Sequence, residues 1–212
     1  MYEFRSALIP LSLGALLLAG CSRTVVTNPL ATDYGAGDPD GEVAFWHSMP
    51  PRSAITNNEG MHAILILSDG TDPTSSYEER VALLQERGWL PEGFNEQPNL
   101  AMQRGRFASL AAHALGIDGG VMMRLTDKAP RYATRELEFL NLIGPGTERE
   151  VLSGLELLGT VAKLEDYRVR EEVLAARAAE AARPPAEAAP NEASEPAAEP
   201  ATEGEDDEAA DA

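Results

Sequence analysis

Apolar residues recur at helical intervals through the central part of the chain. The clearest stripe lies between residues 101 and 116 and has the i, i+3, i+4, i+7, i+8 spacing of a core-facing helix. Its members are Phe107, Leu110, Ala111, Ala114 and Leu115. The same pattern predicts five helices in all, and the only strand candidate is the apolar run 120–125. We therefore predict a mainly α domain over residues 52–182.

Polar residues at the ends of these segments support the helix assignment. Three sequences have the form of a capping box, in which a Ser or Thr and an acidic residue three positions later satisfy free backbone N–H groups. The pairs are Thr56 with Glu59, Ser75 with Glu78, and Thr147 with Glu150. They predict the starts of the first, second and fifth helices. Pro130 suits the first turn of the fourth.

Two kinds of helix recur along the chain. The segment that begins at Tyr77 is echoed by one that begins at Tyr132, with the same spacing from Tyr to Arg. A second kind begins near Ile55, Met102 and Leu152, at intervals of 47 and 50 residues. Periods of 20–50 residues are typical of stacked units that bury faces against one another. Chance similarity between amphipathic helices is the alternative.

The order of helix, glycine, loop, Pro-Asn and helix resembles the S-layer homology (SLH) domain. The residues that follow its pattern are Arg80 to Gly88, Trp89, Leu90, Phe94, Pro98, Asn99 and the stretch 104–116. The resemblance implies three degenerate helix–loop–helix units in one domain. In that family the Arg of a Thr-Arg-Ala-Glu signature contacts an anionic cell-wall polysaccharide, and Arg104 matches this Arg. Gln103, Gly105 and Arg106 stand at the other three positions.

The N-terminal region has the features of a bacterial lipoprotein leader. Residues 7–19 form an apolar run of 13 residues, which suits a signal peptide and is too short for a spanning helix. The run ends in Leu-Ala-Gly-Cys21, which resembles the lipobox in which the Cys thiol receives a diacylglyceryl group and becomes the new N-terminus. We expect a signal peptide over 1–20, a lipid on Cys21 and a tether over 21–51. Because Ser22 follows the cysteine, we expect an outer-membrane address.

Charge and composition narrow the possible partners. The chain has 212 residues and a formal net charge of −18, which excludes a basic nucleic-acid binder. Residues 183–212 are rich in Ala, Pro and Glu, and after Arg183 they contain ten acidic residues and no basic one. Such a segment buries too little apolar area to order itself, so we predict a disordered tail.

A basic stretch runs against this acidic background. Between residues 104 and 135 six basic residues face two acidic ones. We predict that Arg104, Arg106, Arg124 and Arg131 contact an anionic cell-wall polymer, with structural pairing of the arginines as the alternative. We expect exposure for Arg106, which lies off the apolar stripe, and structural roles for Arg131 and Arg135.

Catalytic and metal-binding patterns are not found in the sequence. His47, His62 and His113 are widely spaced, and we expect His62 and His113 to be partly exposed. We expect no metal, no cofactor and no catalytic residue. The sequence therefore favours a lipid-anchored cell-envelope protein that binds cell-wall polymer or an envelope protein. The alternative is a small envelope hydrolase or an accessory subunit of one.

Overall fold

The computed structural model describes residues 23–29 and 39–183. The predicted signal peptide, Cys21 and the tail beyond Arg183 lie outside the described residues. The predicted mainly α class is confirmed, because the described part contains helices and isolated β-bridges but no strand. The helices are α1 (Pro39–Ser48), α2 (Asn57–Asp69), α3 (Tyr77–Glu86), α4 (Arg104–Ala114), α5 (Val121–Leu125), α6 (Pro130–Phe139) and α7 (Gly154–Ala181).

The chain divides into two units by the proximity of its Cα atoms. The first unit, Met1–Leu174, contains α1 to α6 and most of α7. The second, Ala175–Ala212, begins with the last turns of α7, and its described residues are all exposed. The hydrophobic core therefore belongs to the first unit.

Three extended segments meet in a closed ring of backbone hydrogen bonds. Ile55 N donates to Leu152 O at 2.9 Å, Leu152 N to Met102 O at 3.0 Å, and Met102 N to Ile55 O at 2.8 Å. All three side chains are fully buried. We call these three residues the central ring. Since they precede α2, α4 and α7, the ring joins the starts of the three helices that the sequence relates at intervals of 47 and 50 residues.

Helix α2 is the most enclosed element of the first unit. Every residue from Gly60 to Leu67 is buried, so this helix has no solvent face over most of its length. The predicted capping box of Thr56 and Glu59 is present, and Gly70 ends the helix in a left-handed conformation, with φ of 77°. A helix that is enclosed on all sides lies at the centre of its domain.

Helix α4 presents the predicted apolar stripe to the core. Phe107, Leu110 and Ala111 are fully buried, whereas Ala114 and Leu115 are half-buried and pack against the core edge. Helix α6 begins at Pro130, as predicted.

Two of the predicted helix starts are wrong in position. Helix α3 is capped by Ser76, whose hydroxyl accepts from Glu79 N at 3.2 Å, one residue later than predicted. Helix α7 is capped by Ser153, whose hydroxyl accepts from Glu156 N at 3.3 Å while the Glu156 carboxylate accepts from Ser153 N at 3.0 Å. The predicted pair Thr147 and Glu150 forms a separate turn before it. Both sites offered several adjacent Ser, Thr and Glu residues, so the sequence pattern alone did not select the correct pair.

The predicted strand at 120–125 is also wrong, because this segment forms the short helix α5. Only Met123 of its five residues is buried. A lone strand would leave its backbone groups without a partner strand, whereas a helical turn bonds its own. Met123 N donates to Gly120 O at 3.0 Å and Thr126 N to Met122 O at 3.1 Å.

Part of the stretch predicted as a tether is ordered. Residues 39–48 form α1, whose Phe45 is buried with 1% of its surface exposed and packs edge-on against His62 at 4.7 Å between ring centroids. Residues 23–29 run along the entry to α4.

Candidate functional site

The guanidinium of Arg104 lies inside the domain at the first residue of α4. Only 3% of this residue is exposed. Its Nη1 donates to Gly144 O at 2.9 Å, and its Nη2 donates to the Glu156 carboxylate at 2.5 Å. The Glu150 carboxylate lies 3.9 Å from Nε. Arg104 therefore ties α4 to the entry of α7.

The carboxylate of Glu156 is stabilised in its charged form by this arrangement. Burial raises the pKa of Glu156, but hydrogen bonds from Ser153 and the charge of Arg104 outweigh it and lower the pKa below its usual range. An anionic sugar that approached Arg104 would meet Glu150 and Glu156 around the same guanidinium. The geometry therefore favours the structural alternative for Arg104, and its predicted polymer contact stays a prediction without geometric support.

The first residues of α2, α4 and α7 occupy equivalent positions around the central ring. Each contacts the segment that precedes another helix of this set. Asn57 contacts the segment before α4, Arg104 the loop before α7 and Gly154 the segment before α2. Asn57 Nδ2 donates to Gln97 O at 3.2 Å, and Gly154 N donates to Arg52 O at 3.0 Å. A Cβ on Gly154 would overlap the Met49 carbonyl oxygen. Arg104 is the only one of these three residues that carries a positive charge.

Arg106 is half-buried and paired, contrary to the expected exposure. Its Nη2 lies 3.4 Å from Glu96 Oε1, and its guanidinium carbon lies 5.0 Å from the centroid of the Phe94 ring. Arg23 forms a second ion pair with the same oxygen of Glu96. Burial raises the pKa of Glu96, but the hydrogen bond from Arg23 and the two cationic charges lower it overall. The helix pattern did not reveal this because the partner lies in the loop before α4.

Arg124, Arg131 and Arg135 are exposed, and the described residues provide no ion-pair partner for them. The structural role expected for Arg131 and Arg135 is therefore wrong. Arg131, Arg135 and Phe139 follow one another at i, i+4 and i+8, which places them on one side of α6. Lys128, by contrast, is half-buried and its Nζ lies 3.8 Å from the Asp118 carboxylate.

Large apolar side chains are exposed on the same two helices. Phe139 is 83% exposed, Val121 80% and Leu125 76%. We call the set Val121, Arg124, Leu125, Arg131, Arg135 and Phe139 the α5–α6 face. The basic stretch in the sequence pointed to its arginines but not to its apolar members, because Val121 and Leu125 were predicted to lie in a strand.

Two clefts in the described part of the chain have mixed polar and apolar linings. One of about 460 Å³ lies between residues 24–28 and the loop 48–54, and one of about 320 Å³ lies between α3 and the loop 94–98. In the second, Tyr77 donates its hydroxyl proton to Glu96 O at 2.8 Å, and burial raises the pKa of this phenol. Neither cleft gathers a set of side chains that resembles a catalytic site.

A buried polar cluster surrounds Asp72. The carboxylate accepts from Arg80 Nε at 2.5 Å, from the Thr74 hydroxyl at 2.6 Å and from Thr74 N at 3.0 Å, and His62 Nδ1 lies 2.7 Å away. Arg80 Nη1 also donates to Asn58 at 2.7 Å. We call these residues the Asp72 cluster. It joins α2 and α3 to the loop between them.

The expected partial exposure of His62 is wrong, since the residue is only 4% exposed. His113 is half-buried, as expected. Because His62, Asp72 and Arg80 are each buried, a substrate has no direct access to them. The Asp72 cluster is therefore structural in this conformation, and the hydrolase alternative stays a hypothesis.

Within residues 23–29 and 39–183, no group of three or more His, Cys, Asp or Glu side chains is placed to hold a metal ion. None of the described helices has both the length and the hydropathy needed to cross a membrane. No protein-family model, curated protein or solved structure matches this chain.

Proposed function

We propose that the protein is a lipid-anchored component of the bacterial envelope whose helical domain binds another envelope protein. The lipobox-like sequence before Cys21 supports the anchor. The central ring agrees with the three units that the SLH resemblance implies, since it joins three helix starts that lie 47 and 50 residues apart.

The α5–α6 face is the observation that carries the proposal. Arginine and aromatic side chains are enriched at protein interfaces, where an apolar centre is surrounded by polar groups. Phe139 and Leu125 expose most of their surface to solvent, and Arg131 and Arg135 have no ion-pair partner among the described residues. Helices α5 and α6 contact each other, and large exposed apolar side chains on adjoining elements commonly mark a protein–protein interaction site.

A protein partner fits these features better than a cell-wall polymer does. The one arginine that matches the SLH signature, Arg104, is buried against two carboxylates. Arg124 stands beside the exposed aliphatic side chains of Val121 and Leu125, which a hydrated anionic glycan would leave largely uncovered. The polymer therefore becomes the alternative outcome of the test.

The test is photocrosslinking in cells from a photoreactive amino acid placed at position 139 of the full-length protein. Position 155 on α7 is the matched control, because Leu155 is also exposed, at 66%. We expect a discrete crosslinked protein from position 139 only. Leu125→Ser should abolish that product, whereas Leu155→Ser should leave it unchanged.

A product that forms equally from both positions would contradict the proposal. Sedimentation with purified peptidoglycan is the second measurement. The polymer would be the ligand instead if the protein sedimented with peptidoglycan and gave no crosslinked protein. That sedimentation should then decrease with added salt and with Arg131→Ala.

A further inference from the structure

The segment after the predicted lipidation site is held against the domain. Val25 and Leu100 form an antiparallel bridge. Ala101 N donates to Thr24 O at 2.8 Å, and Val26 N donates to Asn99 O at 2.9 Å. Residues 24–26 are therefore bonded to the domain on both sides of the bridge.

Side chains hold the two ends of this segment. Arg23 forms an ion pair with Glu96 and donates from Nη2 to Ala101 O at 3.4 Å. At the other end, Arg52 Nη2 donates to Asn28 O at 2.9 Å. We call residues 23–26 together with 95–101 the clamped edge.

We propose that the clamped edge lies against the lipid headgroups and that no free tether separates the domain from the bilayer. This inference rests on the proposed lipidation of Cys21. Two residues of extended chain span about 7 Å at most, so Cys21 stays within that distance of Arg23. The polar region of one leaflet is about 5–8 Å thick, which brings Arg23 to its outer boundary.

The chemistry of the clamped edge suits a membrane surface. Glu96 is the only charged residue between positions 93 and 103, and it lies between Arg23 and Arg106. These three side chains together carry one positive charge in a protein of net charge −18. The exposed neighbours Asn95, Gln97 and Pro98 are uncharged. Anionic headgroups attract basic groups near their surface, so the net positive charge of these three side chains favours contact with them.

Introduced cysteines can measure this distance, because Cys21 is the only cysteine of the chain and its sulfur is blocked once it carries the diacylglyceryl group. Gln97→Cys places a fluorophore on the clamped edge, and Thr71→Cys is the control at another exposed residue. Helix α2 begins beside Gln97 and ends before Thr71, and its 13 residues separate the two positions by about 20 Å.

The mature acylated protein, which begins at Cys21, is reconstituted in vesicles of phosphatidylethanolamine and phosphatidylglycerol that contain a headgroup-spin-labelled lipid. We expect loss of fluorescence at position 97 and little loss at position 71. Ten Gly and Ser residues inserted after Ser22 add a flexible reach of about 17 Å. The insertion should reduce the quenching at position 97 to the level at position 71.

Equal quenching at the two positions, or quenching at position 97 that survives the insertion, would overturn the inference. Mass spectrometry of the N-terminal peptide separates this result from failure of the proposed function. An unmodified Cys21 would overturn both the lipoprotein proposal and the inference. An acylated Cys21 with equal quenching would overturn the inference alone.

Discussion

The Asp72 carboxylate is charged although the residue is buried, with only 4% of its surface exposed. Burial raises the pKa of Asp72, but hydrogen bonds from His62, Thr74 and Arg80 outweigh it and lower the pKa from its ordinary value of 3.8 to about 2. The charged carboxylate therefore stabilises the folded state above pH 4. This contribution is about 2 kcal/mol and is lost as the pH falls from about 4 to about 2.

Asp72→Asn should lower the free energy of unfolding at pH 7 by about 3–5 kcal/mol, because it removes the negative charge that faces the buried guanidinium of Arg80. It should also flatten the dependence of stability on pH between 4 and 2. Urea denaturation at several pH values measures both effects.

Asp69→Asn is the matched control for this substitution. Asp69 pairs with Arg87 at 2.6 Å, but both side chains are about one quarter exposed or more. Such a pair contributes about 0–1 kcal/mol. Equal losses for Asp69→Asn and Asp72→Asn would contradict the role assigned to the Asp72 cluster.

A buried phenylalanine on α4 and an exposed one on α6 together test which helix faces are buried. Phe107→Ala should lower the free energy of unfolding by about 3–5 kcal/mol, since Phe107 is fully buried in the core. Phe139→Ala on α6 should change it by about 0.5 kcal/mol or less, because Phe139 is 83% exposed. Thermal denaturation of the two variants would give similar midpoints if the assignment of the two helix faces were wrong.

The start of α7 tests close packing at the backbone. Gly154→Ala should lower the free energy of unfolding by about 1–3 kcal/mol or more, because the new Cβ would overlap the Met49 carbonyl oxygen. Gly159→Ala, five residues along the same helix, meets no atom within 4 Å. It should raise the free energy of unfolding by about 1 kcal/mol, because Ala is the better helix former. Effects of the same sign in chemical denaturation would refute this packing.

Local sequence patterns predicted the helices better than they predicted the contacts of individual side chains. Thr56 and Glu59 identified the start of α2, and the Phe107 stripe identified the buried face of α4, because both depend on residues within one helix. The environment of His62 depends on Asp72 and Phe45, which come from other elements. A helix pattern contains no information about such partners.

The candidate site was predicted only in part for the same reason. The basic stretch drew attention to Arg131, which is exposed, and equally to Arg104, which is buried. Tyr77 and Tyr132 begin similar sequences, yet the arginine that follows the first, Arg80, is fully buried and that which follows the second, Arg135, is exposed. Sequence similarity between segments did not carry over to their side-chain contacts.

At the scale of the whole molecule, the anchor can be tested with one substitution. Cys21→Ala should move the protein from the detergent phase to the aqueous phase in a phase-partition experiment, or leave its leader uncleaved, because the acyl chains supply the membrane affinity. Ser22→Ala is the control and should remain in the detergent phase. Unchanged partition of Cys21→Ala would show that Cys21 is not the lipidation site.

The central ring also limits how this domain can change in length. In an open array each unit contacts only its neighbours, so units can be gained or lost at the ends and can unfold separately. Here Ile55 bonds to both Met102 and Leu152, so the first segment closes onto the last. Deletion of any one segment leaves two buried backbone groups without partners. We therefore expect one cooperative unfolding transition for residues 39–174 and no folded product from a chain shortened by one segment.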